Sequence, residues 1–289
     1  MEISEYISVF EVSPDVLSLP AEGILSPRKQ RIPVGNLRYD LPIMLFWSCV
    51  AILTVTSLGY LQIDWGKVIA RMGHLGTVLG NLTHLSFESF DLVMIGFLES
   101  VTVTILATIY GLLIGLVLGG LAAENITPYK PLSWILQAVF SFIRAVPTTV
   151  WVLLVLVCLG FSPATGIVGL LFHVIAFFGR VFAQCFEEVP AATIEALRAS
   201  GANRLQIFFG AILPASFTAL IAWCALRFET NFSESAILGM VGAGGIGYTI
   251  MASMSRYQFG RAGTAILMVF IFALSLEIVL TKIKRKLRV

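Results

Sequence analysis

Residues 100–123 read SVTVTILATIYGLLIGLVLGGLAA, and no charged side chain interrupts them. A helix needs ~20 mostly apolar residues to cross the ~30 Å hydrocarbon core of a bilayer. This stretch is long enough and apolar enough to do so. It therefore predicts a membrane-spanning helix.

The composition of the whole chain favours a protein embedded in lipid. Of its 289 residues, 57% are hydrophobic and 12% are charged, and the mean hydropathy is +0.90. A soluble domain carries about 25% charged residues, so these charges are too few for a water-facing surface. The cysteines lie far apart in apolar stretches and indicate neither a disulfide framework nor a metal site. We interpret them as packing residues: Cys49, Cys158, Cys185 and Cys224.

The same length criterion, applied on either side of residues 100–123, predicts further spans at residues 41–61, 132–160, 161–180 and 262–281. We expect a sixth over about residues 213–238, although three charged residues interrupt it. The sequence therefore predicts an all-α polytopic membrane protein with six transmembrane helices. Residues 62–92 are expected to form an external interfacial segment.

The distribution of basic residues predicts the orientation of the spans. With the N-terminus in the cytoplasm, cytoplasmic segments hold thirteen of the 19 lysines and arginines, and external segments hold four. Because cytoplasmic loops carry the excess of these residues, both termini are expected in the cytoplasm of a multi-pass inner-membrane protein. Residues 1–40 are interpreted as a mostly irregular cytoplasmic arm, not a signal peptide. The basic tail 282–289 is expected to contact membrane lipid, not nucleic acid.

The cytoplasmic segment between the fourth and fifth predicted spans predicts a short helix with defined ends. Glu187 and Glu188 precede Pro190, and Gly201 follows an alanine-rich run. Acidic residues and proline at the start, with glycine just past the end, are the usual boundaries of a helix. Its small side chains would let a partner protein approach the backbone closely.

This segment resembles the EAA loop of binding-protein-dependent ABC permeases, in which E-A-A precedes three residues, Gly, nine residues and I-x-L-P. The chain departs from that pattern mildly, at Leu197 and Ala211. In that family the loop docks on the ATP-binding subunit. The resemblance implies a coupling loop at residues 187–212, with these coupling residues in it and just after it: Pro190, Ala191, Ala192, Glu195, Ala196, Leu197, Ala199, Gly201, Leu213 and Pro214.

The resemblance covers about residues 95–281, and it implies a MetI-like core of five helices, residues 93–281, plus one N-terminal helix. Three stretches are similar to phosphonate-importer permeases in particular: residues 144–147 (RAVP), 227–231 (RFETN) and 238–247 (LGMVGAGGIG). The implied protein is a homodimeric permease for phosphonate or a related phosphorus oxyanion. Its implied partners are a second copy of itself, two ATP-binding subunits and an extracytoplasmic substrate-binding protein.

The chain contains no G-x-x-x-x-G-K-[ST] sequence, so we expect ATP and Mg to bind the partner subunit. We expect no cofactor, metal or covalent catalysis in this chain. A literal G-x-G-x-x-G at residues 242–247 lacks the acid ~20 residues on that a dinucleotide site needs. We interpret five glycines as structural, letting the fifth span fold back and pack tightly: Gly239, Gly242, Gly244, Gly245 and Gly247.

Arg144 and Arg227 lie inside predicted spans, each 13 residues beyond a proline at the cytoplasmic end. Both are therefore expected ~20 Å from that boundary. Buried membrane charges face a partner or a cavity. Two interpretations stay open: contact with a transported oxyanion, or structural ion pairs with Glu229 or Glu99. On the first, the path residues are Arg144, Pro147, Thr148, Arg227, Glu229, Asn231 and Ser233. We interpret His173 as a hydrogen-bonded packing residue.

Two departures leave the transported compound open. Phosphonate permeases tend to have an acid where this chain has Thr148, and an arginine where it has Phe232 and Ser233. Alternatives are therefore an ABC permease for phosphite, phosphate or methionine. A different class of protein, an ion-coupled secondary transporter, is a second alternative, and it would usually show inverted repeats and acids at membrane depth. A membrane enzyme is a third alternative, and it would need His, Asp or Cys side chains clustered at one depth.

Overall fold

The computed structural model describes residues 37–287, and the expectations for residues 1–36, 288 and 289 lie outside that range. The described residues form twelve α-helices and no strand, which confirms the all-α prediction. Over the described residues, the chain divides between residues 69 and 70 into two compact units. The helices are α1 (Leu37–Leu61), α2 (Trp65–Met72), α3 (Leu75–Thr83), α4 (Phe90–Ala122), α5 (Lys130–Ala145), α6 (Thr148–Leu159), α7 (Pro163–Glu187), α8 (Ala191–Ala199), α9 (Arg204–Ile207), α10 (Leu213–Leu238), α11 (Gly245–Ser255) and α12 (Phe259–Leu287), with π-helical segments at Phe208–Ile212 and Gly239–Ala243.

Among the described residues, five helices are long and apolar enough to cross a membrane, and the bent pair α5–α6 is a sixth if it counts as one span. Five of the six predicted spans are thus confirmed as single helices, including the one over residues 213–238, because α10 continues through its charged residues. α1 begins at Leu37, four residues before the span predicted from residue 41, and the rest of the arm predicted over residues 1–40 lies outside the described residues. A helix ends where its backbone is capped, whereas hydropathy marks only where the apolar run begins.

Helices α4 and α7 form the most extensively packed pair of the unit 70–289. Glycines spaced four residues apart on α4 meet side chains spaced likewise on α7: Gly111 meets Val174, Gly115 meets Phe178 and Gly119 meets Phe182. A Cβ atom at any of these glycines would overlap its partner. Residues four apart share one helix face, and small residues at that spacing let membrane helices approach closely. We call this contact the glycine seam.

The span predicted over residues 132–160 is two helices, α5 and α6, whose axes differ by 88°. Pro147 causes the break, because the residue before a proline avoids the helical region. Val146 is accordingly extended, with φ −85° and ψ 126°. The indole N–H of Trp151 donates to the Ile143 carbonyl at 3.1 Å, so one hydrogen bond crosses the bend.

Candidate functional site

Helix α8 connects the two spans α7 and α10 and carries most of the predicted coupling residues. Pro190 is its N-cap, and Ile194, 5% exposed, is its one buried side chain. Ile194 belongs to a core cluster that includes Phe186 of α7 and Ile207 of α9. Ile194 therefore anchors the inner face of α8 against the protein.

Leu197 is half-buried and packs against the same core cluster as Ile194. The opposite face of α8 has little side-chain bulk. The other predicted coupling positions on the helix are exposed: Ala191, Ala192, Glu195, Ala196 and Ala199. Four alanines beside one carboxylate leave the helix backbone open to close approach. α8 can therefore enter a groove on a partner without changing its own packing.

The end of α8 is a Schellman motif built on Gly201. The Gly201 N–H donates to the Arg198 carbonyl at 3.0 Å, and the Ala202 N–H donates to the Leu197 carbonyl at 3.0 Å. Gly201 has a φ of +86°, the left-handed conformation that this motif uses. No atom lies within 4 Å of the position of an added Cβ. Glycine is therefore favoured there by its backbone angle and not by lack of space.

Helix α9 begins with a capping box. The Gln206 N–H donates to Asn203 Oδ1 at 2.9 Å, and the Asn203 N–H donates to Gln206 Oε1 at 2.8 Å. The N-x-x-Q sequence is the signal for such a box. The chain then enters α10, where Leu213 and Pro214 form the first turn, and a proline there has no helical hydrogen bond to lose. Local hydrogen bonds thus fix the turn between α8 and α9, in the middle of the coupling loop.

Hydrogen bonds also tie the end of α7 to the connection between α4 and α5. The Glu124 N–H donates to Glu187 Oε1 at 2.9 Å, and the Asn125 side-chain amide donates to the Phe186 carbonyl at 2.7 Å. The coupling loop follows directly after these residues of α7. These bonds join the start of the coupling loop to the connection between α4 and α5.

Arg227 is buried, 5% exposed, and forms an ion pair with Glu234 on the same helix. Nη1 lies 3.2 Å from Oε1, and Nη2 lies 3.3 Å from Oε2. The prediction that an ion pair joins Arg227 to Glu229 or Glu99 is wrong. Seven residues are close to two helical turns, so Glu234 shares the face of Arg227, whereas Glu229 lies across the helix.

Arg144 and Arg227 meet at one aromatic ring. Their guanidinium carbons lie 5.8 Å and 5.2 Å from the ring centroid of Phe177 on α7. At these distances the ring attracts both cations. Arg227 has a carboxylate partner, whereas Arg144 takes part in no ion pair within residues 37–287. The group therefore keeps a net positive charge among the membrane helices.

Asn231 and His173 are polar side chains packed among the spans. Asn231 is fully buried, and its amide donates to Thr108 Oγ1 on α4 at 2.8 Å. The Nδ1 atom of His173 is buried without a hydrogen-bond partner, so the prediction of a hydrogen-bonded histidine is wrong for that atom. The carboxylate of Glu234 is already bonded to Arg227. Asn231 Oδ1 and Arg227 Nε are likewise buried without partners.

The remaining predicted path residues lie in two places. Pro147 and Thr148 are at the bend between α5 and α6, beside Arg144. Ser233 is exposed on α10, and Glu229 is half-buried and forms no ion pair with any described residue. The structure thus brings Arg144, Arg227 and the bend to one region and separates them from Ser233.

The glycine run lies where α10 ends and α11 turns back against it. Gly242, Gly244 and Gly245 have φ of +121°, +78° and +75°. A Cβ at Gly239 or Gly247 would overlap backbone atoms of the facing segment. A membrane helix and not a strand precedes the run, which excludes a dinucleotide-binding turn. Over the described range, His, Cys, Asp and Glu side chains form no group of three that could hold a metal ion.

Glu234 and Phe177 belong to the group around Arg144 and Arg227, although the sequence patterns do not single them out. The spacing of Glu234, seven residues after Arg227, is a signal that could have identified it. Phe177 carries no such signal, because a phenylalanine in an apolar helix looks like any packing residue.

Residues 111–289 match the family described as "Binding-protein-dependent transport system inner membrane component". The match covers more than half of the chain and includes α8, the Arg227–Glu234 pair and the glycine run. Among known relatives, "Phosphate-import permease protein PhnE" of Mycolicibacterium smegmatis is 28% identical over 269 residues, which cover 91% of this chain. The chain spans about half of that relative, 49% of its length.

Two further relatives are similar over different shares of the chain. "Putative phosphite transport system permease protein HtxC" of Stutzerimonas stutzeri is 24% identical over 90% of this chain and 94% of its own length. "Probable D-methionine transport system permease protein MetI" of Pasteurella multocida is 29% identical over 55% of this chain and 77% of its own length.

Solved structures share the fold. A chain of the inward-facing MetNI methionine ABC transporter has a TM-score of 0.63 and 24% identity, covering 70% of this chain and 99% of that chain. A chain of a bacterial alginate ABC transporter, solved with an alginate-bound periplasmic protein, has a TM-score of 0.58 and 16% identity, covering 85% of this chain and 96% of that chain. These similarities support a MetI-like arrangement of the helices.

Proposed function

Because the chain belongs to the binding-protein-dependent transport system inner membrane component family, we propose that it is the permease subunit of an ATP-driven ABC importer. Helix α8 is the observation that carries this proposal. It is a short helix between two spans, with one buried anchor and an exposed alanine-rich face. A helix of that kind receives a partner and passes its movement to the spans on either side.

The working complex contains two copies of this chain, two ATP-binding subunits and an extracytoplasmic binding protein. Each ATP-binding subunit docks on residues 187–212 of one permease and carries the ATP and Mg. ATP binding and hydrolysis then drive the permease pair between inward-facing and outward-facing states. The similar solved structures are chains of whole ABC transporters, one of them solved with a periplasmic protein, and they support this set of partners.

The transported solute is a phosphonate or a related phosphorus oxyanion. The names of the phosphate and phosphite permeases support this class. The guanidinium of Arg144, which has no ion-pair partner in the part of the chain that the structure describes, suits it chemically, since a guanidinium binds tetrahedral oxyanions through paired N–H groups. Arg227 then has a structural role, because Glu234 already neutralises it. Methionine is the second candidate solute, supported by the similarity to a methionine permease.

Both termini lie in the cytoplasm, and the chain lies in the plasma membrane. The excess of lysine and arginine in the proposed cytoplasmic segments supports this orientation. Cysteines introduced by Ser200→Cys and Ser255→Cys test it with a membrane-impermeant thiol reagent. Residue 200 should be labelled only from the cytoplasm and residue 255 only from outside. The opposite pattern would place α8 where no ATP-binding subunit can reach it.

The decisive experiment is transport by the reconstituted complex. Vesicles containing the permease and its ATP-binding subunit are supplied with the binding protein, loaded with methylphosphonate, phosphite, phosphate or methionine. We expect ATP-dependent uptake of a phosphorus oxyanion and a matching rise in ATP hydrolysis. Uptake of methionine alone would replace the proposed solute. Uptake that does not require ATP would overturn the importer itself.

A further inference from the structure

A cavity of about 240 Å³ lies between the first turns of α4, helix α11 and the start of α12. A water molecule occupies ~30 Å³ in the liquid, so the cavity has room for a small anion and part of its hydration shell. Its polar lining includes two arginines, a carboxylate, an amide and a phenol: Arg256, Arg261, Glu99, Gln258 and Tyr248. We call it the outer pocket.

The charge of the outer pocket is positive. Two arginines and one glutamate line the pocket, and the carboxylate of that glutamate already accepts a hydrogen bond. Glu99 Oε2 accepts from the Gly245 N–H at 2.9 Å, at the N-terminus of α11, where the helix dipole adds partial positive charge. Arg261 donates to the Ser89 hydroxyl, which fixes its side chain at the edge of the pocket. Arg256 is exposed and forms no ion pair with the residues described.

One wall of the outer pocket is apolar. Leu92 and Ile95 line it from α4, and both side chains are exposed, 55% and 54%. Arginines beside an apolar wall suit an anion that carries a hydrocarbon group. A phospholipid headgroup and an alkyl phosphonate share that chemistry: each has a tetrahedral phosphorus oxyanion attached to an organic substituent.

We propose that the outer pocket binds a tetrahedral phosphorus oxyanion. Arg256 and Arg261 hold its oxygens, and the apolar wall receives its organic part. Two sources supply such an anion: the phosphate of a membrane phospholipid, or a free phosphonate or phosphate. Placing the pocket outside the membrane rests on the orientation proposed above. Binding of the anion rests only on the lining of the pocket.

The test measures binding to the purified complex in dodecyl maltoside, which contains no phosphate, without ATP or binding protein. One arm titrates methylphosphonate and inorganic phosphate by calorimetry. The other adds phosphatidylglycerol in mixed micelles and follows the thermal midpoint, because a ligand that binds the folded state raises it. Saturation in the first arm identifies a free anion, and saturation in the second identifies a lipid headgroup.

Variants of opposite sign locate the binding. Arg256→Gln should weaken it on the order of tenfold, since a charge-assisted contact is lost. Glu99→Gln should strengthen it, because the amide keeps an acceptor for the Gly245 N–H but removes a negative charge from the pocket. Arg71→Gln, an external arginine outside the pocket, is the control and should bind as wild type.

The proposal fails if neither probe saturates. It also fails if Arg256→Gln and Glu99→Gln change affinity in the same direction, or if Arg71→Gln changes it as much as Arg256→Gln. None of these outcomes bears on ATP-driven uptake, which is measured separately, so the outer pocket and the importer can fail independently.

Discussion

Arg227 and Glu234 pair along a single face of α10, and the guanidinium of Arg227 also lies 5.2 Å from the Phe177 ring of α7. The pair spans nearly two turns of one helix, so it stays intact wherever α10 moves as a rigid body. Arg144 lies on the same ring without a carboxylate. Two arginines that look equivalent in the sequence therefore differ in charge compensation, and different effects of mutation follow.

Breaking the Arg227–Glu234 pair should cost stability. Arg227→Gln leaves a carboxylate without its cation among the spans, and Glu234→Gln leaves a buried guanidinium. Each single change should destabilise the complex by about 3–5 kcal/mol, because an uncompensated buried charge is costly. The double variant Arg227→Met with Glu234→Leu should recover most of that loss. Thermal unfolding in detergent measures all three, and a double variant as unstable as the sum of its parts would contradict the pairing.

Arg144→Gln should lower transport without lowering stability. Because Arg144 is exposed and has no ion-pair partner among the described residues, its removal strands no charge. Uptake of the phosphorus oxyanion should fall on the order of tenfold, the loss expected for a hydrogen bond to a charged group. Arg144→Lys keeps the charge but not the bidentate geometry, so its uptake should lie between that of wild type and that of Arg144→Gln. Normal uptake by Arg144→Gln would remove Arg144 from the path.

Replacing Gly201 should depend on the backbone angle that the new residue tolerates. Gly201→Val forces a β-branched residue into the left-handed region, at a cost of roughly 1–2 kcal/mol, which should unwind the end of α8. Gly201→Asn fits that region better and is the matched control. We expect the valine variant to insert normally but to lose stimulation of ATP hydrolysis by the loaded binding protein. Equal stimulation of ATP hydrolysis in both variants would show that the end of α8 does not transmit movement between the subunits.

The two faces of α8 should respond differently to mutation. Ala196→Trp places a large side chain on the exposed face and should wedge the ATP-binding subunit away while leaving thermal stability near wild type. Ile194→Ala removes the buried anchor and should cost ~2–5 kcal/mol. Co-purification of the ATP-binding subunit and the unfolding midpoint separate these effects. A fully coupled Ala196→Trp transporter would mean that the partner docks elsewhere.

Hydropathy patterns were sufficient to predict the five spans that are single helices, because burial in lipid imposes a long apolar run on each. They were insufficient for the bend between α5 and α6, where the apolar run continues through Pro147. The proline is the local signal, but its effect depends on whether neighbouring helices accept a kink or require a break. Here the axes differ by 88°.

Side-chain partners were harder to predict than helices. Helical geometry alone favours Glu234 over Glu229 as the partner of Arg227, since only the former shares its face. The convergence of Arg144 and Arg227 on Phe177 depends on how α5, α7 and α10 pack, which a single sequence does not encode locally. By contrast, the helix end predicted at Gly201 is present, with a left-handed backbone at that residue, because helix termination is a local event.

The glycine seam has a mechanical consequence for any movement of these helices. Each of the three facing side chains of α7 packs against a glycine of α4, and these glycines repeat every four residues, ~6 Å along the helix. A shift by a fraction of a turn would drive Phe178 against the next ridge, so α4 and α7 cannot slide gradually past each other. The two helices are therefore expected to move together as one rigid unit. Any rearrangement of the core is therefore expected where helices end, such as the bend before α6 and the glycine run after α10, and not along the seam between α4 and α7.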